Sequence, residues 1–309
     1  MKLISIVSGC YNEVGNVEDL VARVGQAMQQ QPHYDYEQII IDNASTDGTQ
    51  ELLKKLAKKN PKLKVILNAR NFGHVRSPYH GMMQGSGEAI VYLASDLQDP
   101  PELIPEMVSK WEQGAKAVVC VKESSEERPL FFKMRRLCYS IFDRLANVET
   151  IQNFTGFGLY DRTIINHCRN MQDSYPYFRG MISEIGLPIV ELPYRQLVRK
   201  KGITKNNFYT LYDVAMLGMT NYTKIPLRLA SIVGFFMALV SFFLACGYFI
   251  YKLLFWAKVP FGTAPLIIGL FFFASVQLFF IGILGEYISA IYTQVLNRPL
   301  VIEKERVNF

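Results

Sequence analysis

Residues 88–103 read EAIVYLASDLQDPPEL, and the class of fold follows from this stretch. Its apolar first half, which ends at Ser95, is typical of a buried strand. Two prolines then open a helical pattern that closes at Gly114. A strand that continues into a helix through a polar turn is the repeating unit of a parallel sheet covered by helices. Because ligands bind such sheets at the carboxyl ends of the strands, we expect Asp96 and Asp99 to lie at a binding site.

The same alternation recurs through the first half of the chain. Helical patterns separate the strand patterns, as where Leu52, Leu53 and Leu56 follow a run of capping residues. We therefore predict an α/β domain with a mostly parallel sheet. Polar residues follow each strand, so the sheet brings them together at one edge. The predicted strands are residues 3–8, 36–43, 63–68, 88–95 and 115–122.

Two long apolar segments dominate the second half. No charged residue occurs from Leu229 to Tyr251 or from Val259 to Gly285. A helix of about 20 apolar residues crosses a bilayer, so we predict a hairpin of two transmembrane helices. Two buried helices of a soluble core are the alternative, which we disfavour because soluble helices of this length usually show a polar face.

Basic residues flank these segments and predict their orientation. Lys224 and Arg228 precede the first segment, and Arg298 follows the second. We find no signal-peptide pattern at the amino terminus. The positive-inside rule therefore predicts a multi-pass protein of the inner (plasma) membrane whose first domain lies on the cytoplasmic side. The predicted units are a domain at 1–225, a two-helix transmembrane hairpin at 226–294 and a cytoplasmic tail at 295–309.

Two basic segments of the first unit point to phosphate or to a lipid surface. The helical pattern at about 129–147 has one apolar and one basic face, which suits either an anionic membrane interface or an ordinary surface helix. The nearby apolar segments favour the interface. In the basic juxtamembrane loop 195–205, Arg199 and Lys205 flank Gly202, which is typical of a phosphate-binding loop. Simple positive-inside bias is the alternative.

Composition excludes some other classes of site. The five cysteines are scattered without a CxxC pair, and the four histidines have no ligand spacing, so we predict no zinc site. A cytoplasmic domain keeps such cysteines reduced. We expect no nucleic acid among the partners.

Five motifs occur in a fixed order: SGCYNEVGNVEDL, IIIDNASTDGT, NARNFG, SDLQDPPEL and FTGFGLYDR. Their order and spacing resemble those of family 2 glycosyltransferases with the GT-A fold. More narrowly, the chain is similar to the polyprenyl-phosphate glycosyltransferases, which include bactoprenol glucosyltransferases and dolichyl-phosphate mannose synthases. The resemblance covers nearly the whole chain, including the terminal pair of apolar segments.

The resemblance implies an inverting transfer of a hexose to a membrane lipid. We expect glucose to move from UDP-glucose onto undecaprenyl phosphate, giving a lipid-phosphate sugar for cell-envelope glycosylation. Other donors, such as GDP-mannose or a UDP-aminosugar, stay open. A catalytically impaired, transferase-like membrane scaffold is the alternative from another class. A processive polysaccharide synthase is excluded because its QxxRW motif is absent around Trp111 and Trp256.

Roles for individual residues also follow from the resemblance. A divalent cation, Mg²⁺ or Mn²⁺, would neutralise the donor diphosphate, and hard cations prefer oxygen ligands. Asp96 and Gln98 would hold it, although capping of the next helix is an alternative for Asp96 and Asp99. The residues expected to contact the nucleotide are Tyr11, Glu13, Asp42, Arg70, Asn71 and Asp96, of which Asp42 is alternatively a turn residue.

The acceptor side needs cations rather than a base. A lipid phosphate has a second pKa of about 6, so it is already anionic at neutral pH. Positioning and charge clamps then suffice for catalysis. Arg128, Arg199 and Lys205 are the candidates to hold either the acceptor phosphate or the donor phosphates. The expected partners are a nucleotide sugar, polyprenyl phosphate, an anionic lipid surface and further copies of the chain, with a tetramer favoured by resemblance.

The sequence departs from the family pattern at two positions. Ala94 and Gly156 each stand where relatives often carry an aspartate. The first departure removes one expected cation ligand, and the second removes a base at that position. Asp161 and Arg162, near Gly156, are interpreted as a structural pair.

Overall fold

The computed structural model describes residues 1–123, 151, 153–197, 216–255 and 263–309. The helix predicted at about 129–147 lies outside these residues, as does the basic loop beyond residue 197. Within the described residues, one sheet is built from β1 (Lys2–Cys10), β2 (Tyr34–Asp42), β3 (Leu63–Asn68), β4 (Ala89–Tyr92), β5 (Ala117–Lys122), β6 (Phe154–Asp161), β7 (Ile189–Tyr194) and β8 (Glu303–Val307).

The strand order is β7-β5-β6-β4-β1-β2-β3-β8. Strand β1 lies between β2 and β4 and is parallel to both, and β3 is parallel to β2. Strands β6 and β8 run antiparallel to their neighbours. The predicted α/β class with a mostly parallel sheet is confirmed. The register places Cys10 beside Asp42 and Asp42 beside Leu67, so three strands end level at one edge.

Helices cover both faces of the sheet, as the alternating burial of its strands requires. Ile40 belongs to one core cluster, whereas its neighbours Ile39 and Ile41 belong to the other. All three are fully buried, and each contributes about 1.5–3 kcal/mol by leaving water. The helices of this part are α1 (Val17–Gln29), α2 (Thr49–Lys59), α3 (Gly73–Gln84), α4 (Ile104–Glu112), α5 (Arg162–Met171) and α6 (Phe178–Ile185).

Helix α3 lies close against the end of β1 and forms despite an internal proline. Pro78 is within the helix, and its ring faces Gly9. A Cβ atom at Gly9 would come within 2.7 Å of the Cγ atom of Pro78. Only glycine therefore permits this approach, which places the first turn of α3 beside the carboxyl edge of the sheet.

Two long apolar helices follow, α7 (Ile225–Leu254) and α8 (Thr263–Leu296). The segments Ile225–Tyr251 and Gly269–Leu296 are long and apolar enough to cross a membrane, and their most apolar windows are not buried. The hydroxyl of Tyr287 donates to the Thr223 carbonyl at 2.7 Å. Gln294 accepts a hydrogen bond from the Ser174 amide at 3.2 Å. These contacts attach α8 to the rest of the chain.

The residues after α8 return to the sheet instead of forming a separate tail. Strand β8 pairs antiparallel with β3, which would otherwise be an edge strand. Glu303 contacts His80 at 2.6 Å, and Glu305 contacts Lys54 at 2.6 Å. Asn308 donates to the carbonyl of Ala57 at 2.7 Å. The segment predicted as the tail 295–309 is thus part of the α/β domain's sheet.

Asp161 and Arg162 are structural residues, but they do not pair with each other. Arg162 donates to the carbonyls of Gly85, at 2.9 Å, and Gly87. Asp161 caps α5 by accepting from the amide of Thr163 at 2.9 Å.

The carboxylate of Asp161 also joins two further elements. It accepts from the indole of Trp111 at 2.8 Å and from the ammonium of Lys116 at 3.2 Å. Burial alone would raise the pKa of Asp161, but the hydrogen bonds from Thr163, Trp111 and Lys116 outweigh this and lower the pKa to about 2. The charged carboxylate therefore stabilises the junction of β6, α4 and α5.

This shift predicts a pH-dependent stability. An aspartate of the unfolded chain has a pKa of about 3.9. Because the folded pKa is lower, the contribution of Asp161 is complete above about pH 4 and is lost as the pH falls towards about 2. We expect Asp161→Asn to lower the melting temperature of the detergent-solubilised protein at pH 7 by about 3–6 °C. Circular dichroism melts would show this difference shrinking as the pH falls below about 4.

Asp35→Asn is the matched control. Asp35 is exposed and its ion pair with Lys62, at 2.5 Å, lies at the surface. Exposed pairs contribute about 0–1 kcal/mol, so a shift of less than about 2 °C is expected. Equal losses in both variants would contradict the assigned role of Asp161.

Candidate active site at the carboxyl edge

A cleft of about 390 Å³ opens at the carboxyl ends of β1, β2, β3 and β4. We call it the edge cleft. Tyr11, Glu13, Asn71 and Asp96, all predicted from the sequence, line it. The predicted residues Asp42, Arg70 and Gln98 are not among its lining residues. The sheet thus brings together four of the predicted site residues from the ends of three strands.

A buried amide network supports the floor of the edge cleft. The Nδ2 of Asn43 donates to Oδ1 of Asn71 at 2.8 Å and to the Gly73 carbonyl at 3.1 Å. Its Oδ1 accepts from Nδ2 of Asn68 at 3.1 Å and from the Phe72 amide at 2.8 Å. One side chain therefore connects the end of β2, the end of β3 and the start of α3. The sequence placed Asn43 at the edge but gave no signal for this role.

Asp42 is used within its own turn. It is fully buried and accepts from the Ser45 amide at 2.9 Å, from the Ser45 hydroxyl, and from Nε2 of Gln50 at 2.8 Å. Three hydrogen bonds occupy most of the acceptor capacity of a carboxylate. These contacts match the alternative that Asp42 is a turn residue, and contact with a nucleotide base stays a prediction.

Three residues at this edge adopt left-handed backbone conformations that glycine normally supplies. Asn12, Ala44 and Leu97 have φ angles of 56°, 62° and 60°. Each costs of order 1–3 kcal/mol, and such strain clusters at functional sites. Asn12 is held by the Ser45 hydroxyl, which accepts from its amide at 2.7 Å. The strained turns follow β1, β2 and β4, so they shape the rim of the edge cleft.

The acidic turn after β4 holds two carboxylates in different surroundings. Asp96 is half-buried, lines the cleft and accepts from the Gln98 amide at 3.2 Å. Asp99 is buried and accepts from the hydroxyl of Tyr194 at 2.6 Å. It does not cap the following helical turn, contrary to the alternative drawn from the sequence. Burial raises the pKa of Asp99, the Tyr194 hydrogen bond opposes this, and the charge of Asp96 adds to the rise.

Gln98 points its amide towards a different segment. The side-chain Nε2 of Gln98 donates to the Leu197 carbonyl at 3.3 Å. The backbone carbonyl of Gln98 accepts from the Leu197 amide at 3.0 Å. The acidic turn therefore anchors the residues that lead into the basic loop. Arg128, Arg199 and Lys205, which were predicted to hold the acceptor or the donor phosphates, lie outside the described residues.

The oxygen ligands at this edge suit a divalent cation that is shared with a substrate phosphate better than one held entirely by protein side chains. The described residues contain no group of three or more His, Cys, Asp and Glu side chains that could hold a metal. Mg²⁺ usually takes one or two carboxylates and fills its other positions with substrate phosphate and water. Asp96 in the cleft suits this pattern, and a cation there would relieve its repulsion of Asp99. Gln98 could contribute only its remaining amide oxygen.

His74 is a cleft residue that sequence reasoning missed. It lies in the first turn of α3 and lines the edge cleft. His74 is exposed to solvent, but the surrounding chain partly desolvates its ring and Arg179 adds positive charge nearby, so the pKa of His74 is lowered. The lower pKa favours the neutral ring, which can both donate and accept a hydrogen bond. Its position directly after the NARNFG motif was the available signal.

Gly156 lies beside the cleft residue Tyr92. Its φ angle is 101°, a conformation that side chains rarely adopt, and a Cβ atom would contact the Tyr92 ring at 3.6 Å. Arg179, which donates to the Phe154 carbonyl at 3.0 Å, joins both residues around a smaller cavity of about 110 Å³. The backbone conformation at position 156 therefore favours glycine over aspartate.

Comparison with known proteins defines the class. The sequence profile described as glycosyl transferase family 2 matches residues 5–175, which is more than half of the chain and includes all residues lining the edge cleft. The chain belongs to glycosyl transferase family 2 and is a transferase enzyme.

Within this family, the similarity to individual relatives extends to the apolar helices. The chain is 30% identical over 303 residues to the SfII prophage-derived bactoprenol glucosyl transferase of Shigella flexneri, covering 98% of this chain and 97% of the relative. It is 31% identical over 299 residues to the uncharacterized glycosyltransferase YkcC of Bacillus subtilis, covering 96% and 92%. Among solved structures, it is similar to the mannosyltransferase PcManGT of Pyrobaculum calidifontis at 15% identity and a TM-score of 0.46, covering 95% and 86%.

The amide network leads to a prediction for Asn43→Ala. Loss of this side chain leaves the Phe72 amide without its partner and leaves the Nδ2 of Asn68 with the Ser77 hydroxyl alone. A buried unsatisfied group costs about 1–3 kcal/mol. We expect a lower free energy of unfolding by this amount and weaker binding of UDP, because Asn71 and Gly73 lose their support. Chemical unfolding and isothermal titration calorimetry measure the two effects. Asn170→Ala, at an exposed position of α5, is the control and should change neither; unchanged UDP affinity in Asn43→Ala would refute the role of the network.

Proposed function

We propose that the enzyme transfers glucose from UDP-glucose to undecaprenyl phosphate, with inversion at the anomeric carbon. The observation that carries this proposal is the edge cleft, lined by Asp96, in a chain that matches a bactoprenol glucosyl transferase along almost its whole length. The two apolar helices support a lipid acceptor because they could anchor the enzyme in a membrane. Gln294 of α8 accepts a hydrogen bond from Ser174, between α5 and α6, so this anchor is joined directly to the α/β domain. The proposal places the catalytic domain at 1–225 on the cytoplasmic side and the hairpin at 226–294 in the membrane.

The edge cleft would hold the donor. Tyr11, Glu13 and Asn71 lie along its walls, where a nucleoside can contact aromatic and polar groups. Asp96 lies across the cleft at the end of β4, so the diphosphate would extend towards it. When bound there, Mg²⁺ or Mn²⁺ would be held by Asp96, with Gln98 as a secondary ligand, and would neutralise charge on the diphosphate.

The reaction is a single displacement. A phosphate oxygen of the lipid forms a bond to the anomeric carbon, and the bond from that carbon to the UDP oxygen breaks, with its electron pair leaving on UDP. The lipid phosphate is already ionised at neutral pH because its second pKa is about 6. No proton has to be removed, so the glycine at position 156 and the neutral His74 are compatible with turnover. Positioning and positive charge are the requirements, and Arg128, Arg199 and Lys205 are proposed to meet them at the acceptor.

A donor comparison tests the proposal directly. Purified protein in detergent is given undecaprenyl phosphate and, in separate reactions, labelled UDP-glucose, UDP-galactose, UDP-N-acetylglucosamine or GDP-mannose. We expect label to enter the organic phase from UDP-glucose only, and a chelator to abolish this transfer. Transfer from a different donor would replace the glucose assignment. No transfer from any donor by folded protein would favour the impaired scaffold, to which Ala94 and Gly156 point.

Asp96→Asn tests the role of the acidic turn. The substitution removes a charge but keeps the shape of the side chain, so we expect transfer to fall at least about 100-fold while the melting temperature changes little. Asp19→Asn, an exposed position of α1, is the matched control and should keep full activity. Near-normal transfer by Asp96→Asn would show that the acidic turn does not hold the cation that neutralises the diphosphate.

A further inference from the structure

Three arginines meet beside the segment that connects β3 to α3. Arg70 follows β3, Arg76 lies in α3, and Arg298 comes two residues after the end of α8. Arg76 donates to the carbonyl of Pro299, which brings the residues after α8 against α3. The cluster therefore joins the α/β domain to the end of an apolar helix. We call Arg70, Arg76 and Arg298 the arginine cluster.

Two of these guanidinium groups share one aromatic ring. The Cζ atom of Arg70 is 4.1 Å from the centroid of Phe72, and that of Arg76 is 5.7 Å from it. A cation over an aromatic face gains about 0.5–1 kcal/mol at an exposed site. Arg70 also donates to the Asn71 carbonyl at 3.1 Å. These contacts hold two like charges near each other, although like charges repel.

Among the described residues, the guanidinium of Arg76 donates to a backbone carbonyl rather than to a carboxylate. Its Nε atom is buried without a hydrogen-bond partner among the described residues. Burial, Arg70 and Arg298 lower the pKa of Arg76, whereas Tyr175 opposes the shift. Glu303, which lies five residues after Arg298, contacts His80 at 2.6 Å and Arg306 at 2.5 Å. The positive charge of the cluster is thus left for an external anion.

The arginine cluster is separate from the lining of the edge cleft. Asn71, His74 and Ser77 line the cleft, whereas Arg70 and Arg76 do not. A reacting phosphate has to lie in the cleft, so the anion of the arginine cluster is a different one. Arg298 comes two residues after α8, whose segment Gly269–Leu296 is apolar enough to cross a membrane. With α8 in a membrane, as proposed above, the Arg298 side chain would lie near the level of the lipid headgroups. Basic residues at this level attract anionic lipids.

We propose that the arginine cluster binds the phosphate of an anionic phospholipid headgroup. The proposal rests on the membrane association proposed above and adds a site for a lipid that is not a substrate. Guanidinium groups suit this ligand because they bind phosphate oxygens in pairs of parallel hydrogen bonds. A bound headgroup would neutralise the mutual repulsion of the cluster. It would also fix the loop that carries Asn71, and so link the membrane surface to the wall of the edge cleft.

Ligand-induced thermal stabilisation tests the site without requiring turnover. Full-length protein in neutral detergent is melted with phosphatidylglycerol, phosphatidylcholine, undecaprenyl phosphate or inorganic phosphate. A ligand that binds only the folded state raises the melting temperature. We expect phosphatidylglycerol to raise it by about 4 °C or more, phosphatidylcholine to have little effect, and salt to weaken the rise.

Two variants locate the effect. Arg76→Gln combined with Arg298→Gln should remove at least about half of the phosphatidylglycerol shift. Arg298→Gln alone, at an exposed position, serves if the double variant does not melt cooperatively. Arg23→Gln is the matched control, because Arg23 of helix α1 is already paired with Glu102 at 2.7 Å. The Arg23→Gln variant should keep the full phosphatidylglycerol shift.

Several results would overturn the proposal. An undiminished phosphatidylglycerol shift in the variants would place the lipid elsewhere. A shift with undecaprenyl phosphate but not with phosphatidylglycerol would assign the cluster to the acceptor. An equal shift with inorganic phosphate alone would exclude a lipid headgroup as the specific ligand. Failure of glucose transfer in the donor comparison would leave the melting shifts unchanged, so the two proposals fail separately.

Discussion

The amide side chain of Asn43 is the contact on which the edge cleft depends. A parallel sheet brings strand ends to one edge, but it does not fix the loops that leave them. Asn43 does this by bonding Asn68, Asn71 and the backbone at residues 72 and 73. Buried amides of this kind cost free energy when a group is unpaired. Both polar side-chain atoms of Asn43 are paired, whereas Oδ1 of Asn68 has no partner among the described residues, so the loss of any remaining bond would destabilise the edge further. The positions of the cleft wall and of the first turn of α3 both follow from it.

Charge is separated across the segment that Asn43 supports. Carboxylates gather on the cleft side, where Asp96 and Asp99 raise the demand for a cation. Guanidinium groups gather outside the cleft lining, near the end of α8, where they raise the demand for an anion. A cation at Asp96 would relieve repulsion within the acidic turn after β4, and an anion at the arginine cluster would relieve repulsion within the segment from β3 to α3.

The sequence predicted the central strands because β1, β2, β3 and β4 are runs of branched apolar residues. It also predicted that Tyr11, Glu13, Asn71 and Asp96 meet, since parallel strands end at one edge. Helix α3 was missed because Pro78 and Gly81 interrupt its pattern, and its position depends on contact with Gly9. Asp42 and Gln98 illustrate a second limit, since their side chains bond Ser45 and Leu197, and such choices depend on geometry that spacing does not encode.

Strand β8 has no apolar pattern, and its sequence EKERV gave no reason to expect a strand. Its stability comes from pairing with β3, from the ion pair of Glu305 with Lys54 and from the contact of Glu303 with His80. The contact joins residues 65–68 to residues 303–307, across almost the whole chain. During synthesis, β3 leaves the ribosome long before its partner exists, and both apolar helices must be made first. The open edge of β3 therefore stays exposed until the apolar helices have been translated. The sheet can be completed only after synthesis of the hairpin has ended.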